Sequence, residues 1–216
     1  SVFEPRAPTV RLHGQVAMRD MTSSAEPMGH MASPEAALIA AIAKGDQQAV
    51  KRLYALTHVR LYRYLVRQVR NEAVAEEVMN ETYLAVWQNA SRYEARSAAM
   101  TWMLSIAHNK AISVLRKRRE ASGIDEEETN EIADDDDTPD VIAQKRDKAA
   151  LIRACVNKLG ADHKSVMDLV YYQERSVAEV AEILSIPEAT VKTRMFYARK
   201  KLSELLKAQG IDRGWP

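Results

Sequence analysis

The stretch Arg175–Leu202, RSVAEVAEILSIPEATVKTRMFYARKKL, leaves its backbone few alternatives. Ser176 and Glu179 form an S-x-x-E capping box, each side chain satisfying a backbone amide of the other's residue, so the spacing predicts a helix from Val177. That helix should bury Val177, Val180, Ala181 and Leu184 along one stripe. Ile186-Pro187 then breaks it. Pro187 lacks an amide proton and has its φ preset near the helical value, so a second helix is expected to start there. Its inner stripe is Val191, Met195, Ala198, Leu202 and Leu205. Opposite lie Ala189, Lys192, Thr193, Phe196 and Lys200, with Arg194 and Arg199 at the flanks. Two short helices around a tight turn, with such an outer face, suit duplex DNA: base edges in front, phosphates at the sides. The same pattern also describes a basic helix hairpin that binds protein, or nothing.

This helical grammar extends along the chain. At 216 residues there is room for two small domains, each with its own core. Aromatics make up 6%, glycines are few, and the apolar spacing is helical rather than alternating, so the expected class is all-α. Cys155 stands alone in an apolar helical pattern and reads as a core or half-buried thiol of a reducing compartment. The five histidines are scattered, without the clustering a metal site needs, and no cofactor motif is present. No apolar run approaches the roughly 20 residues that span a bilayer, so a cytoplasmic protein is expected, with no membrane insertion.

The net charge of +1 conceals a strong division. Asp125–Asp140, DEEETNEIADDDDTPD, holds ten acidic residues and no basic ones, leaving 20 acidic residues elsewhere to face all 31 Lys and Arg. A run so charged buries too little apolar surface to order itself, and it reads as a flexible linker over 120–142. Either it is a solvated tether, or it occupies a basic channel or masks a basic surface. Residues 1–33 read as an unstructured extension, within which Gly29-His30-Met31 resembles a cloning remnant. The expected units are therefore 34–119 and 143–208, with a tail over 209–216.

In the first unit, Ser33-Pro34 predicts a helix start, Gly45 an end, and Asp46 the cap of a long helix that runs to about Arg70. Glu72–Asn89 follows as a third helix. On it Glu77, Asn80, Glu81, Leu84 and Gln88 fall in one row, an apolar spot within a polar, acidic surface. Such a row is either an ordinary surface carrying a stray leucine or the anchor of a modest protein interface. Next, a polar loop with Tyr93, Arg96 and Ser97 leads into a helix with Trp102 and four consecutive basic residues, Arg116–Arg119. Aromatic and basic groups together suit single-stranded DNA, where bases stack on rings and cations follow phosphates. The competing reading makes Trp102 core and the basic run a helix end facing its own dipole.

Three segments in this order, AEEVMNETYLAVW from Ala75, WMLSIAHNKAISVLRKRR from Trp102, and the helix-turn-helix, resemble the two characteristic regions of bacterial extracytoplasmic-function sigma factors. The resemblance covers about Pro34 to Lys207. It implies a dissociable, non-enzymatic specificity subunit of RNA polymerase, built of region 2 and region 4 and held by an anti-sigma factor until a stress signal. It implies that Glu77, Asn80, Glu81 and Leu84 dock on the core polymerase. It further implies that Tyr93, Arg96, Ser97, Trp102, Asn109 and Arg116 melt the minus-10 element of promoter DNA and capture a base there. For the minus-35 element it points to Lys192, Thr193 and Phe196 on the bases, with Thr190, Arg194 and Arg199 nearer the backbone.

The chain departs from the family pattern at His108, where Arg is common, at Ser113, where Asp is common, and at Asn80, where Gln is common. Loss of the Asp removes a partner for a neighbouring arginine and puts the geometry around Asn109 in doubt. His108 reads as a satisfied surface histidine. Tyr197 stands where many members have a basic residue and can exchange a phosphate ion pair for a hydroxyl hydrogen bond. Two alternative functions stay open: a sigma-like regulator that works through protein contacts, and an ordinary helix-turn-helix activator.

Overall fold

The computed structural model describes residues 33–122 and 149–211, so the N-terminal extension, the acidic run and most of the C-terminal tail lie outside the described residues. Within them the fold is all helical. Pro34–Ala43 (α1), Gln47–Val69 (α2), Glu72–Asn89 (α3) and Ala99–Ser122 (α4) form a first unit. Residues 149–157 (α5), Ala161–Tyr171 (α6), Val177–Leu184 (α7) and Glu188–Ala208 (α8) form a second.

Local chemistry sets the helix ends. Ser33 caps α1 with Pro34 at its start, Asp46 accepts from the amides of Gln48 and Ala49, and Asn71 accepts from Val74. Arg70, left-handed at φ 52, ends α2. Both bonds of the Ser176–Glu179 capping box are present, at 3.2 and 2.9 Å. Two details differ from expectation. Pro187 is the cap preceding α8 rather than its first residue, because its ψ of 147° is extended; α7 already ends at Ser185, with φ 54. On α7, Val180 and Ile183 are fully buried while Val177, Ala181 and Leu184 are half-buried, and on α8 Leu206, not Leu205, completes the buried stripe.

The two units share part of their core. One apolar cluster joins Ile39, Leu53, Leu65, Val78 and Met103 of the first unit to Val166, Leu169, Val180, Ile183 and Met195 of the second. A smaller cluster of Cys155, Leu159, Met167, Ala198, Leu202 and Leu206 belongs to the second unit alone.

Polar contacts line the same seam. At the end of α2, the Arg67 guanidinium donates two hydrogen bonds to Asp168 of α6, at 2.6 and 3.0 Å, and lies 4.5 Å over the Tyr172 ring. Asp168 is 4% exposed. Burial pushes its carboxyl above the ordinary value, and Arg67 opposes that rise. Ser165 donates to Gln68 at 3.0 Å, and Arg70 to the carbonyl of Asn157 at 3.1 Å. Across the other side of the seam, Thr101 on the first turn of α4 donates to Glu179 of α7 at 2.6 Å, and Arg175 donates to Glu179 at 3.2 Å. Burial would raise the Glu179 carboxyl, but Thr101, the Ser176 amide and Arg175 hold it below its ordinary value. Among the described residues no helix is long and apolar enough to cross a membrane.

Candidate nucleic-acid and polymerase interfaces

The outer row of α8 is open. Lys192, Thr193, Lys200 and Lys201 are exposed, Thr190 is half-buried, and Phe196 is 63% exposed, which is far more than a core aromatic would tolerate. Tyr197 is also exposed and meets Phe196 edge to face with ring centroids 5.4 Å apart, so the two rings steady each other without being covered. The flanking arginines are engaged. Arg194 pairs with Asp162 of α6 at 2.7 Å, and Arg199 donates to the Tyr171 hydroxyl at 2.7 Å. Thr193 donates its hydroxyl to the carbonyl of Ala189, one turn back. Lys192, Thr193, Phe196, Lys200 and Tyr197 therefore form the accessible face, while Arg194 and Arg199 brace α8 against α6 and its end.

In the first unit, Tyr93, Ser97 and Trp102 come together. The Tyr93 hydroxyl donates to the carbonyl of Ser97 at 2.8 Å, and its ring lies 5.1 Å from that of Trp102. The connecting loop turns through Ala95 at φ 54, a left-handed conformation costly for a residue with a side chain. Arg96 is exposed at the loop's tip and pairs with Glu94. Burial, with Glu182 and Glu35 nearby, raises the Tyr93 hydroxyl pKa, so it stays a donor. Trp102, Asn109 and Arg116 follow at steps of seven along α4, nearly in line, half-buried at Trp102 and exposed at the other two. They span about 21 Å of helix. Trp102 packs on the apolar cluster and keeps an exposed portion.

His108 is not a surface residue. It is 8% exposed, with Nδ1 hydrogen-bonded to the Tyr64 hydroxyl at 2.9 Å. Burial lowers its pKa to about 4, with Asp162 acting in the opposite direction, so it is neutral at physiological pH. Ser113, where the family commonly has Asp, donates instead to the carbonyl of Asn109 at 2.9 Å.

On α3 the row Glu77, Asn80, Glu81, Leu84 and Gln88 is exposed throughout, with Leu84 at 52%. Glu81 is partly committed to Lys110 of α4, at 3.2 Å. Trp87 is 51% exposed one turn from Leu84, so the apolar spot has two members. Trp87 stands at i+3 from Leu84, so the two side chains are neighbours on the helix surface.

Comparison with known proteins fits this geometry. The family described as Sigma-70 region 2 matches residues 53–121, and Sigma-70 region 4 matches residues 149–202. The ECF RNA polymerase sigma factor SigK of Mycobacterium ulcerans is 32% identical over 176 residues, covering 80% of this chain and 93% of that protein. SigK of Mycobacterium tuberculosis is also 32% identical, covering 79% and 92%. Among solved structures, CnrH in complex with the cytosolic domain of CnrY aligns with a TM-score of 0.59 at 25% identity, covering 80% of this chain and 96% of that one. The sigma factor RpoE in complex with the anti-sigma factor NepR from Bartonella quintana aligns with a TM-score of 0.62 at 23% identity, covering 76% and 98%, and shares the fold.

Proposed function

Because the chain belongs to the extracytoplasmic-function family of RNA polymerase sigma factors, we propose that its two units grip a promoter at two points, α8 on duplex DNA and α4 on an opened strand. As a sigma factor it gives RNA polymerase its promoter specificity. The single observation that carries the finer reading is the outer row of α8, where Lys192, Phe196 and Lys200 stand exposed on the second helix of a capped helix-turn-helix. In the major groove of the minus-35 element, Phe196 suits the methyl group of thymine, and Lys192 a guanine edge or a phosphate. Tyr197 adds a hydroxyl at the groove wall.

At the minus-10 element the task is to hold a base out of the stack. Extruding one costs a few kcal/mol, and stacking on an aromatic ring returns about 1–3 kcal/mol per base, with phosphate neutralisation adding to it. The Tyr93–Trp102 pair supplies the rings, Arg96 and Arg116 the cations, and Asn109 a hydrogen-bonding edge between them. Leu84 and Trp87, ringed by Glu77, Asn80 and Glu81, form the apolar anchor and polar rim that would dock on the polymerase. The work is binding throughout, in the cytoplasm with the polymerase, and no step calls for a catalytic group. RpoE of Bartonella quintana was solved with an anti-sigma factor, and we extend that to an inhibitory partner for this chain, released by a stress signal.

Purified core polymerase tests the reading. Added chain should restore initiation at defined start sites on genomic templates, with each start preceded by a common minus-35 sequence. A core that initiates no differently with the chain present would rule it out.

A further inference from the structure

We propose that the cavity beside α2 is a binding site for a small aromatic anion of the nucleoside monophosphate class. The cavity measures about 490 Å³, within the roughly 300–1,000 Å³ of small-molecule sites. One wall is a single face of α2, where Leu56, Val59, Arg60, Arg63 and Arg67 fall at i, i+3, i+4, i+7 and i+11. None of the rows that α3, α4 and α8 turn toward polymerase or promoter contributes to it.

Charge gives the site its preference. α2 carries five Lys and Arg and no acidic residue. The positions four residues from Arg60 and Arg63 are Leu56, Tyr64, Val59 and Arg67, so neither guanidinium finds a carboxylate there on its own helix. Both are exposed, and neither has an ion-pair partner among the described residues. Arg67 differs, because Asp168 balances its charge. What remains at the cavity is Arg60 and Arg63 against Glu35 of α1, one positive charge in excess. Two guanidinium forks three residues apart suit a phosphate, which accepts several N–H bonds at once.

The rest of the wall asks for a flat apolar body. Leu56, Val59 and Tyr172 are 52%, 49% and 53% exposed, and all three line the cavity. Arg67 lies 4.5 Å over the Tyr172 ring, so the ion pair with Asp168 also steadies that ring as a stacking platform. The buried Met100 and Gln173 complete the lining. Glu35 offers an acceptor to an amino or hydroxyl group. A nucleotide combines the anion, the flat ring and the donor; inorganic phosphate has only the first, and a fatty acid lacks the ring and the donor.

Titration calorimetry of the full chain, without polymerase or promoter, tests this with AMP, GMP and inorganic phosphate. AMP or GMP should bind at least tenfold more tightly than phosphate, since the base adds a stacking contact. The paired variant Arg60→Gln, Arg63→Gln should weaken nucleotide binding at least tenfold and leave thermal unfolding unchanged, because neither side chain holds an internal ion pair. Tyr172→Ala should weaken binding about tenfold, and Tyr172→Phe, which keeps the ring, should retain it. The proposal is overturned if neither nucleotide binds at millimolar concentration, if phosphate binds as well as they do, or if the folded variants bind them as tightly as the wild type. A single-stranded oligonucleotide that loses affinity in the Arg60, Arg63 variant, with no binding of AMP or GMP, would assign the cavity to a DNA strand and overturn it as well.

Discussion

The two units earn their shapes differently. The α7–α8 module is local: a capping box, a left-handed Ser185 and a Pro187 cap lie within a dozen residues and set two helices and their angle. The α1–α4 unit is assembled at longer range, with Tyr64 reaching His108 and Thr57 reaching Tyr83 to fix the faces that α3 and α4 turn outward. A locally built unit tolerates being moved as a body, which suits a positioning device. A unit whose outward faces depend on buried polar bonds suits the more exacting task of holding a strand open.

The largest expected effect separates surface from core on α3. Leu84→Asp should weaken binding to core polymerase by about 100-fold, the scale of an interface anchor, while thermal stability stays within about 0.5 kcal/mol. A loss of folding instead would return Leu84 to the core. Next comes the buried bond that distinguishes the first unit. His108 is neutral when folded, with its pKa lowered to about 4, whereas the unfolded chain takes up a proton near 6.5. Its contribution is complete above pH 6.5 and is lost as pH falls toward 4, amounting to about 2 kcal/mol of lost stability at pH 5. Denaturant titrations at pH 7 and pH 5 should show that loss in the wild type and little of it in His108→Gln.

On the second unit, Phe196→Ala should reduce minus-35 discrimination about tenfold, and uracil in place of thymine in that element should reproduce much of the loss with the wild-type chain. Lys192→Ala should lower the slope of log affinity against log salt by about 1 if it meets a phosphate, or relax one base position if it meets an edge. The smallest effect tests the local character of the module: Ser176→Ala should cost about 1 kcal/mol in thermal unfolding and leave specificity intact.

What could be read in advance follows the same division. Capping residues announced α1, α2 and α7 because each acts within three or four residues of itself. The row on α3 was legible because helical geometry alone places Glu77, Asn80, Glu81 and Leu84 together. Trp87 was not, since a wheel cannot say which flank a neighbouring helix will cover. Ile183 was passed over for Leu184 because adjacent residues both fit a 3.6-residue period. His108 sits in a helix whose partner, Tyr64, is 44 residues away. Arg67 and Asp168 stand 101 residues apart, each an unremarkable surface type in sequence, so the seam had no local signature at all.

The division of labour between the units is tested most directly on a promoter whose minus-10 segment is pre-opened as a mismatched bubble, with initiation rates compared against the intact duplex. Trp102→Ala should initiate poorly on the duplex and recover on the bubble, because the strand no longer needs opening. Phe196→Ala should remain impaired on both, because choosing the address is unaffected by melting. Recovery of both variants on the bubble, or of neither, would contradict the assignment of opening to α4 and address to α8.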